Sequence, residues 1–478
     1  MKLRKKSTLI IICLLIFNAA WSQNRAVVYG KITNPSTRTL KIKYAQNVIN
    51  GSEVIMETDL DFSGEYAVAI DITESSPVTL VYGGKEILLF LSTDTRLELN
   101  FDNNDFYNSM KFSGVGFNDN SFLHRYIQKF GVRDKFTEAI VFPSISVPDS
   151  IFNKMNELSS DDFTTYVAQR QDAERLFYQN DPVQIDFTVG LKNYYEAMTT
   201  YKWASYLFAY ADLRSKRGEV IPDEFYIFLW DLKISNDYAM INSDYGGFLD
   251  IYLDYAFKSM HGDTIFDPFQ RFALTFELAE MQLSGFAEEY MLGRLLSRTI
   301  RPANIPFITA YYQKFQKRSV VSRYLNAVND VYDRALAFSD KQAAPDFVLQ
   351  TPNGDTVSLE QFQGKLVYIS FWASWCQPCI KEQEASLSNR VELQSQDIVF
   401  LFVSVDEKKE DWTSFLQRHP NYGVNIWTTG RQNNITRSYN VISLPHYFLL
   451  DKKGKFITEF KKASDPEFIF NIRQLLEQ

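Results

Sequence analysis

The sequence predicts a multi-domain α+β chain in three successive parts: a β-sandwich, an all-helical middle and a C-terminal α/β layer. Three observations carry this. Apolar residues recur with a period of two over about 26–114, with a helical period over about 119–338, and in near-continuous runs between helical segments beyond about 341. At about 150 residues per domain, 478 residues correspond to roughly three domains. The chain is 45% apolar and 23% charged, enough apolar material to fill such cores, which excludes wholesale disorder. The expected segments are 1–22 (export signal), 23–117 (β-sandwich), 118–340 (helical) and 341–478 (α/β).

Residues 1–22 carry a positive start of Lys2, Arg4, Lys5 and Lys6, an apolar run from Leu9 to Phe17, and the small-x-small site Ala20-Trp21-Ser22 before Gln23. The apolar run is short for a membrane span. Cleavage after Ser22 and a soluble, periplasmic protein are therefore expected, with a retained anchor as the competing reading. A lipoprotein is disfavoured, because Cys13 follows Ile12 where lipid attachment wants a small residue. The formal charge is −8, and losing four cations with the signal leaves the chain more acidic still. Without a basic stripe beyond the extreme N-terminus, nucleic acid is not an expected partner.

In the first part, Leu40, Ile42 and Tyr44 alternate with polar residues. So do Tyr66, Val68, Ile70 and Ile72, then Val78, Leu80 and Tyr82, then Leu97, Leu99 and Phe101. Phe62-Ser63-Gly64-Glu65 and Tyr82-Gly83-Gly84-Lys85 supply turns, and a small antiparallel sandwich follows. In the middle part, Phe187, Leu191, Tyr194, Met198, Tyr201 and Phe208 fall on one helical stripe that stops at Lys216-Arg217-Gly218. Pro182, Pro222 and Pro302 punctuate its neighbours. The aromatics Phe225, Tyr226, Phe228 and Trp230 read as core packing before they read as a groove.

The polar stretch from Phe338 to Pro345 reads as a linker. Beyond it, Lys365 to Phe371 and Ile398 to Val405 are buried central strands, and 379–395 and 465–477 are helices. His446 to Leu450 and Lys455 to Phe460 form a hairpin turning at Asp451-Lys452-Lys453-Gly454.

Of three cysteines, Cys13 leaves with the signal, and Cys376 and Cys379 form a single Cys-x-x-Cys between a strand and a helix. An exported protein stapled by disulfides would carry several distant pairs. At a helix N-terminus, unpaired N–H groups and the dipole favour an anion at Cys376, and Cys379 lies one turn on. Lowering a thiol pKa from about 8.5 to about 7 raises the thiolate fraction at neutral pH from ~3% to about half. Cys376 is thus the expected nucleophile and Cys379 the resolving thiol. Zinc is not expected, since His124, His261, His419 and His446 are scattered without ligand spacing. No glycine-rich phosphate loop occurs, the cysteine context is not that of a peroxidase, and no cofactor is expected.

Several motifs run in order: Ala344-Pro345-Asp346-Phe347; Gly354, Leu359 and Gly364-Lys365; Phe371-Trp372-Ala373-Ser374-Trp375-Cys376-Gln377-Pro378-Cys379; and Leu444-Pro445 before a strand and a turn. In them the C-terminal part resembles the thioredoxin superfamily, and within it the exported TlpA/ResA-like thiol-disulfide oxidoreductases. The resemblance implies a thioredoxin-like fold and disulfide exchange with protein thiols and disulfides. It also implies a cis Pro445 packed against the disulfide, where the adjoining backbone pairs with a substrate strand, so that Trp375, Leu444 and Pro445 form the substrate-binding surface. Glu382, six residues after Cys376, corresponds to an active-site Glu of ResA-like proteins and would relay the resolving cysteine's proton; the other reading is an ordinary exposed helix Glu. Ser370 stands where thioredoxin has a buried Asp. His446 stands where the family more often has Thr, and either adjusts the cysteine pKa or is structural. A reducing role outside the cell would need an electron donor, in this family typically a membrane protein. The first part, ending in Gly114-Val115-Gly116-Phe117-Asn118, resembles a domain of unknown function found ahead of such domains. A non-catalytic binding or assembly factor is the rival function.

Overall fold

The computed structural model describes residues 25–47, 49, 52–131, 140–142, 145–262, 264–419, 423–430, 433–441, 443–458 and 460–477. The export-signal reading of residues 1–22 lies outside them. The described chain divides into two compact units: residues up to 298 with 319–327, and 299–318 with those from 328 onward.

The first unit begins with β1 (Arg25–Thr33), β2 (Thr39–Asn47), β3 (Ser52–Asp59), β4 (Glu65–Asp71), β5 (Ser76–Tyr82), β6 (Lys85–Leu91), β7 (Arg96–Asp102) and β8 (Lys111–Val115). They form two four-stranded sheets, ordered β4-β1-β7-β8 and β3-β2-β5-β6. Val28, Ile70 and Leu97 of one and Leu40, Leu80 and Leu89 of the other share a single buried core. The expected antiparallel sandwich needs one correction, because β1 and β7 run parallel, with Val28 opposite Leu97. These two strands are joined through five others spread over both sheets. No hairpin forces them to oppose. Gly30 lets them approach, since a Cβ there would stand 2.0 Å from the Leu99 carbonyl oxygen. The hairpin between β5 and β6 turns on Gly83 and Gly84, both at positive φ (57° and 78°), as its twist requires.

The helix Phe117–Phe130 follows and docks on β6, the edge of its sheet. The Asn120 amide accepts from the Phe90 N–H (2.8 Å) and donates to the Phe90 carbonyl (2.9 Å), which closes that edge. Beyond a two-stranded ribbon of β9 (Ile140–Phe142) and β10 (Ile145–Val147) the unit is helical. Its longest helix, Val189–Ser215, is capped by the Thr188 hydroxyl and buries Leu191, Tyr194, Met198, Tyr201 and Phe208. Phe225 is buried, and Tyr226 and Phe228 pack against the Phe208 ring, but Trp230 is 84% exposed.

The second unit is built on a seven-stranded sheet. Its strands are β11 (Val348–Gln350), β12 (Thr356–Ser358), β13 (Leu366–Trp372), β14 (Ile398–Ser404), β15 (Val424–Trp427), β16 (His446–Leu450) and β17 (Phe456–Ile457), in the order β12-β11-β15-β14-β13-β16-β17. Every residue of β13 is buried, which is why it reads as an unbroken apolar run. β14 lies parallel to β13 and β16 antiparallel to it. Helices cover both faces: Tyr368 meets Phe468 of the closing helix Phe468–Leu476, whereas Phe371 meets Tyr439, just past the helix Asn434–Ser438.

Two sequence expectations change here. The helix expected over 379–395 is two helices, Gln377–Ala385 and Leu387–Glu392, parted at Ser386. At the break the Gln383 carbonyl accepts from Arg390 Nη2 (2.6 Å) and Ser386 Oγ (3.3 Å), side chains taking the place of the regular ladder. The stretch from Phe338 to Pro345, expected as a linker, is fastened to the C-terminal hairpin. The Lys341 and Ala344 N–H groups donate to the Phe456 and Gly454 carbonyls, and the Phe338 ring packs on Phe448 and Phe456.

Candidate active site

β13 runs directly into the loop that carries the cysteines. Cys376 is the N-cap of the helix Gln377–Ala385, with extended backbone (φ −83°, ψ 91°), and Pro378 sits in the first turn, where its missing N–H costs no ladder bond. Cys376 and Cys379 are joined by a disulfide, S–S 1.97 Å, with Cα atoms 5.3 Å apart. The Cys379 N–H donates to Cys376 Sγ at 3.3 Å, so a helix N-terminal donor already points at the first sulfur. Both residues are buried, Cys379 almost completely, while Trp375 beside them is 55% exposed.

The Leu444–Pro445 peptide bond is cis. The next residue, His446, opens β16 opposite Phe371, so Leu444 and Pro445 lie at the end of β13 that leads into the cysteine loop. Leu444 packs against the core cluster that contains both cysteines. The His446 ring stacks on Phe448 with centroids 4.9 Å apart, and burial pushes its pKa down.

Glu382 is half-buried on the cysteine helix, one turn past Cys379. Its carboxylate accepts from the Ser464 N–H (3.0 Å) and the Ser464 hydroxyl (2.7 Å). It is therefore not a solvated surface Glu. Burial pushes the Tyr447 hydroxyl up, and the Glu382 charge adds to that shift. Burial also draws the Arg390 guanidinium down to about 10, against the pull of Tyr368 and Glu382. Arg390 sits over the Phe402 ring at 4.9 Å.

Sequence reasoning missed a second acid. Asp406, 1% exposed, lies just beyond β14 and accepts from the Ser374 N–H and hydroxyl and from the Ser404 hydroxyl. A usable signal existed: an acid closing a buried apolar run, at the C-terminal end of a parallel strand, where sites gather in open α/β sheets. Ser464 and Arg390, the neighbours of Glu382, carried no comparable mark. Among the described residues no group of three or more His, Cys, Asp or Glu is arranged to hold a metal ion, and no helix is long and apolar enough to cross a membrane.

The Redoxin family model matches residues 339–475. The chain is 33% identical over 132 residues to the thiol-disulfide oxidoreductase ResA of Bacillus subtilis, covering 27% of this chain and 71% of that protein. With the ResA of Geobacillus thermodenitrificans the identity is 33% over 150 residues, 30% of this chain and 84% of the relative. Among solved structures, a thiol-disulfide oxidoreductase from Bacteroides fragilis is 23% identical, with a TM-score of 0.25, spanning 28% of this chain and 98% of that one. The matched segment contains the disulfide, the cis proline and the sheet that positions them. Through it, the protein belongs to the ResA-like thiol-disulfide oxidoreductases of the thioredoxin superfamily.

Proposed function

We propose that the protein is an exported oxidoreductase whose Cys376–Cys379 pair exchanges electrons with protein substrates. The observation that carries this reading is the disulfide at the helix N-terminus, with the Cys379 N–H directed at Cys376 Sγ. In the reduced enzyme the Cys376 thiolate attacks one sulfur of a substrate disulfide. A mixed disulfide forms, and the other substrate sulfur leaves as a thiolate. Cys379, deprotonated, then attacks Cys376 Sγ, re-forming the enzyme disulfide and releasing the second substrate thiolate. Two electrons pass to the substrate; the reverse sequence oxidises it.

Glu382, one turn from Cys379, is the group to take up the resolving thiol's proton, with Ser464 holding its carboxylate meanwhile. Trp375, Leu444 and Pro445 form the surface on which an extended substrate segment lies. A reducing enzyme outside the cytoplasm draws electrons from a donor, for which a membrane protein is our expectation. Residues 23–117 and 118–340 precede the 341–478 oxidoreductase domain in the chain, and residues 1–22 direct export. Trapping tests the reading. Cys379→Ser should accumulate mixed disulfides on Cys376, and the double variant with Cys376→Ser should accumulate none. A non-reducing gel without adducts from Cys379→Ser would remove the exchange mechanism.

A further inference from the structure

We propose that Asp406 is a positioning residue for the exchange reaction, a buried clamp that holds the loop presenting Cys376 when no disulfide is there to hold it. The inference rests on the reading of Cys376 as the attacking sulfur. The Asp406 carboxylate takes the Ser374 N–H at 3.1 and 3.0 Å on its two oxygens, the Ser374 hydroxyl at 2.7 Å and the Ser404 hydroxyl at 2.7 Å. Its backbone is fixed as well. The Asp406 N–H donates to Ser404 Oγ (3.1 Å), and its carbonyl accepts from Trp427 Nε1 (2.8 Å) and the Gly430 N–H (3.2 Å).

A buried carboxylate served by neutral donors is costly unless every acceptor position is used. Here the donors come from the strand end at Ser404 and from Ser374, two residues before the nucleophile. The tie therefore runs from β14 to the cysteine loop, beside the regular bond of the Val405 N–H to the Trp372 carbonyl (2.8 Å). Between Ser374 and Cys376 the chain makes one tight turn, closed by the Cys376 N–H on the Ala373 carbonyl (3.0 Å). Fixing Ser374 thus fixes where Cys376 Sγ stands relative to the Cys379 N–H. In the oxidised enzyme the disulfide does this covalently. After reduction that bond is gone, and the Asp406 clamp is what preserves the geometry needed for attack and for resolution.

The test uses the full-length reduced protein and a chromogenic aryl disulfide, with the second-order rate of Cys376 attack read by stopped flow and folding monitored in parallel. Displacing a reacting atom by about 1 Å can cost ~100-fold in rate. Asp406→Asn should slow attack at least about tenfold. Ser374→Ala should lose a part of this, and Ser374→Thr, which keeps the hydroxyl, should recover most of what Ser374→Ala loses. Combining Asp406→Asn with Ser374→Ala should be no slower than Asp406→Asn alone, because both break the same tie. A folded Asp406→Asn protein with the wild-type rate, or a Ser374→Thr protein as slow as Ser374→Ala, overturns the proposal. Should Asp406→Asn not fold, the Ser374 pair decides by itself. Failure of the parent reading looks different: the wild type would then not react faster than its Cys376→Ser variant.

Discussion

Each unit of the molecule buries a carboxylate, and the two are handled in opposite ways. In the first unit Glu174, 1% exposed, joins three helices by accepting from the Tyr126 hydroxyl (2.9 Å), Trp203 Nε1 (3.2 Å) and Lys202 Nζ (3.3 Å). It is a charge neutralised by a cation among aromatic rings. Asp406 in the second unit is met by serine and backbone donors, and its partners lead to the cysteine loop. A buried acid paired with a cation and enclosed by core residues holds helices together. One whose hydrogen bonds lead into a reactive loop acts on the geometry of the reaction.

The contrast can be broken at its strongest point first. Cys376→Ser should abolish exchange, a loss of at least about 1,000-fold in rate, because the remaining thiol of the pair, Cys379, is almost completely buried and does not meet a substrate disulfide. The same change should leave the Glu174 cluster and the unfolding of the first unit unaltered, as followed by tryptophan fluorescence in denaturant. Glu174→Ala should do the reverse. The change strands the buried Tyr126 hydroxyl and Trp203 Nε1, at about 1–3 kcal/mol each, and takes the counter-charge from the part-exposed Lys202, so unfolding should shift to clearly lower denaturant while exchange per folded molecule stays constant. A parallel loss of exchange would mean the two units are coupled and would blunt the comparison.

Glu382→Gln should give a smaller change that sharpens the distinction among acids. Gln keeps an acceptor and the fit but cannot hold the proton, so release of the mixed disulfide should slow by about tenfold or more. The pH dependence of that step should change shape, and thermal stability should move little. An unchanged pH profile would reduce Glu382 to an anchor for Ser464.

The same physics explains what could be read from the sequence. β2, β4, β5 and β7 each bury one face, so their period of two survives as a signal. β6 does not. Ile87, Leu89 and Leu91 face the sandwich core while Phe90 faces the aromatic cluster around Phe122, so both faces are apolar and the alternation disappears. β8 is the opposite case, an edge strand with no buried residue and hence no pattern. The cysteines were legible because their chemistry depends on a spacing of three along a single helix. Asp406 and Ser374 are 32 positions apart, and Glu382 and Ser464 are 82 apart. Such pairs exist only once the sheet has brought them together, and neither periodicity nor local spacing encodes them. The helix break at Ser386 was hidden likewise, since Arg390 reads as an ordinary helix residue until its burial is known.

The smallest expected effect concerns His446, beside the cis proline. Burial lowers its folded pKa below the ordinary value near 6.5, and its ring stacks on Phe448. The unfolded chain therefore binds this proton more readily than the folded one. Stability from the neutral ring is fully present above about pH 6.5 and is lost as pH falls from there toward the lower folded pKa. In His446→Phe, which keeps an aromatic ring on Phe448 but cannot take up a proton, the stability curve should flatten across that interval and match the wild type above it. Chemical denaturation at a series of pH values from about 5 to 8 measures the slope. If the variant also changes the rate of Cys376 attack above pH 7, where both rings are neutral, His446 acts on the cysteine site through its contacts, and the acid-side slope is then a separate property of the fold.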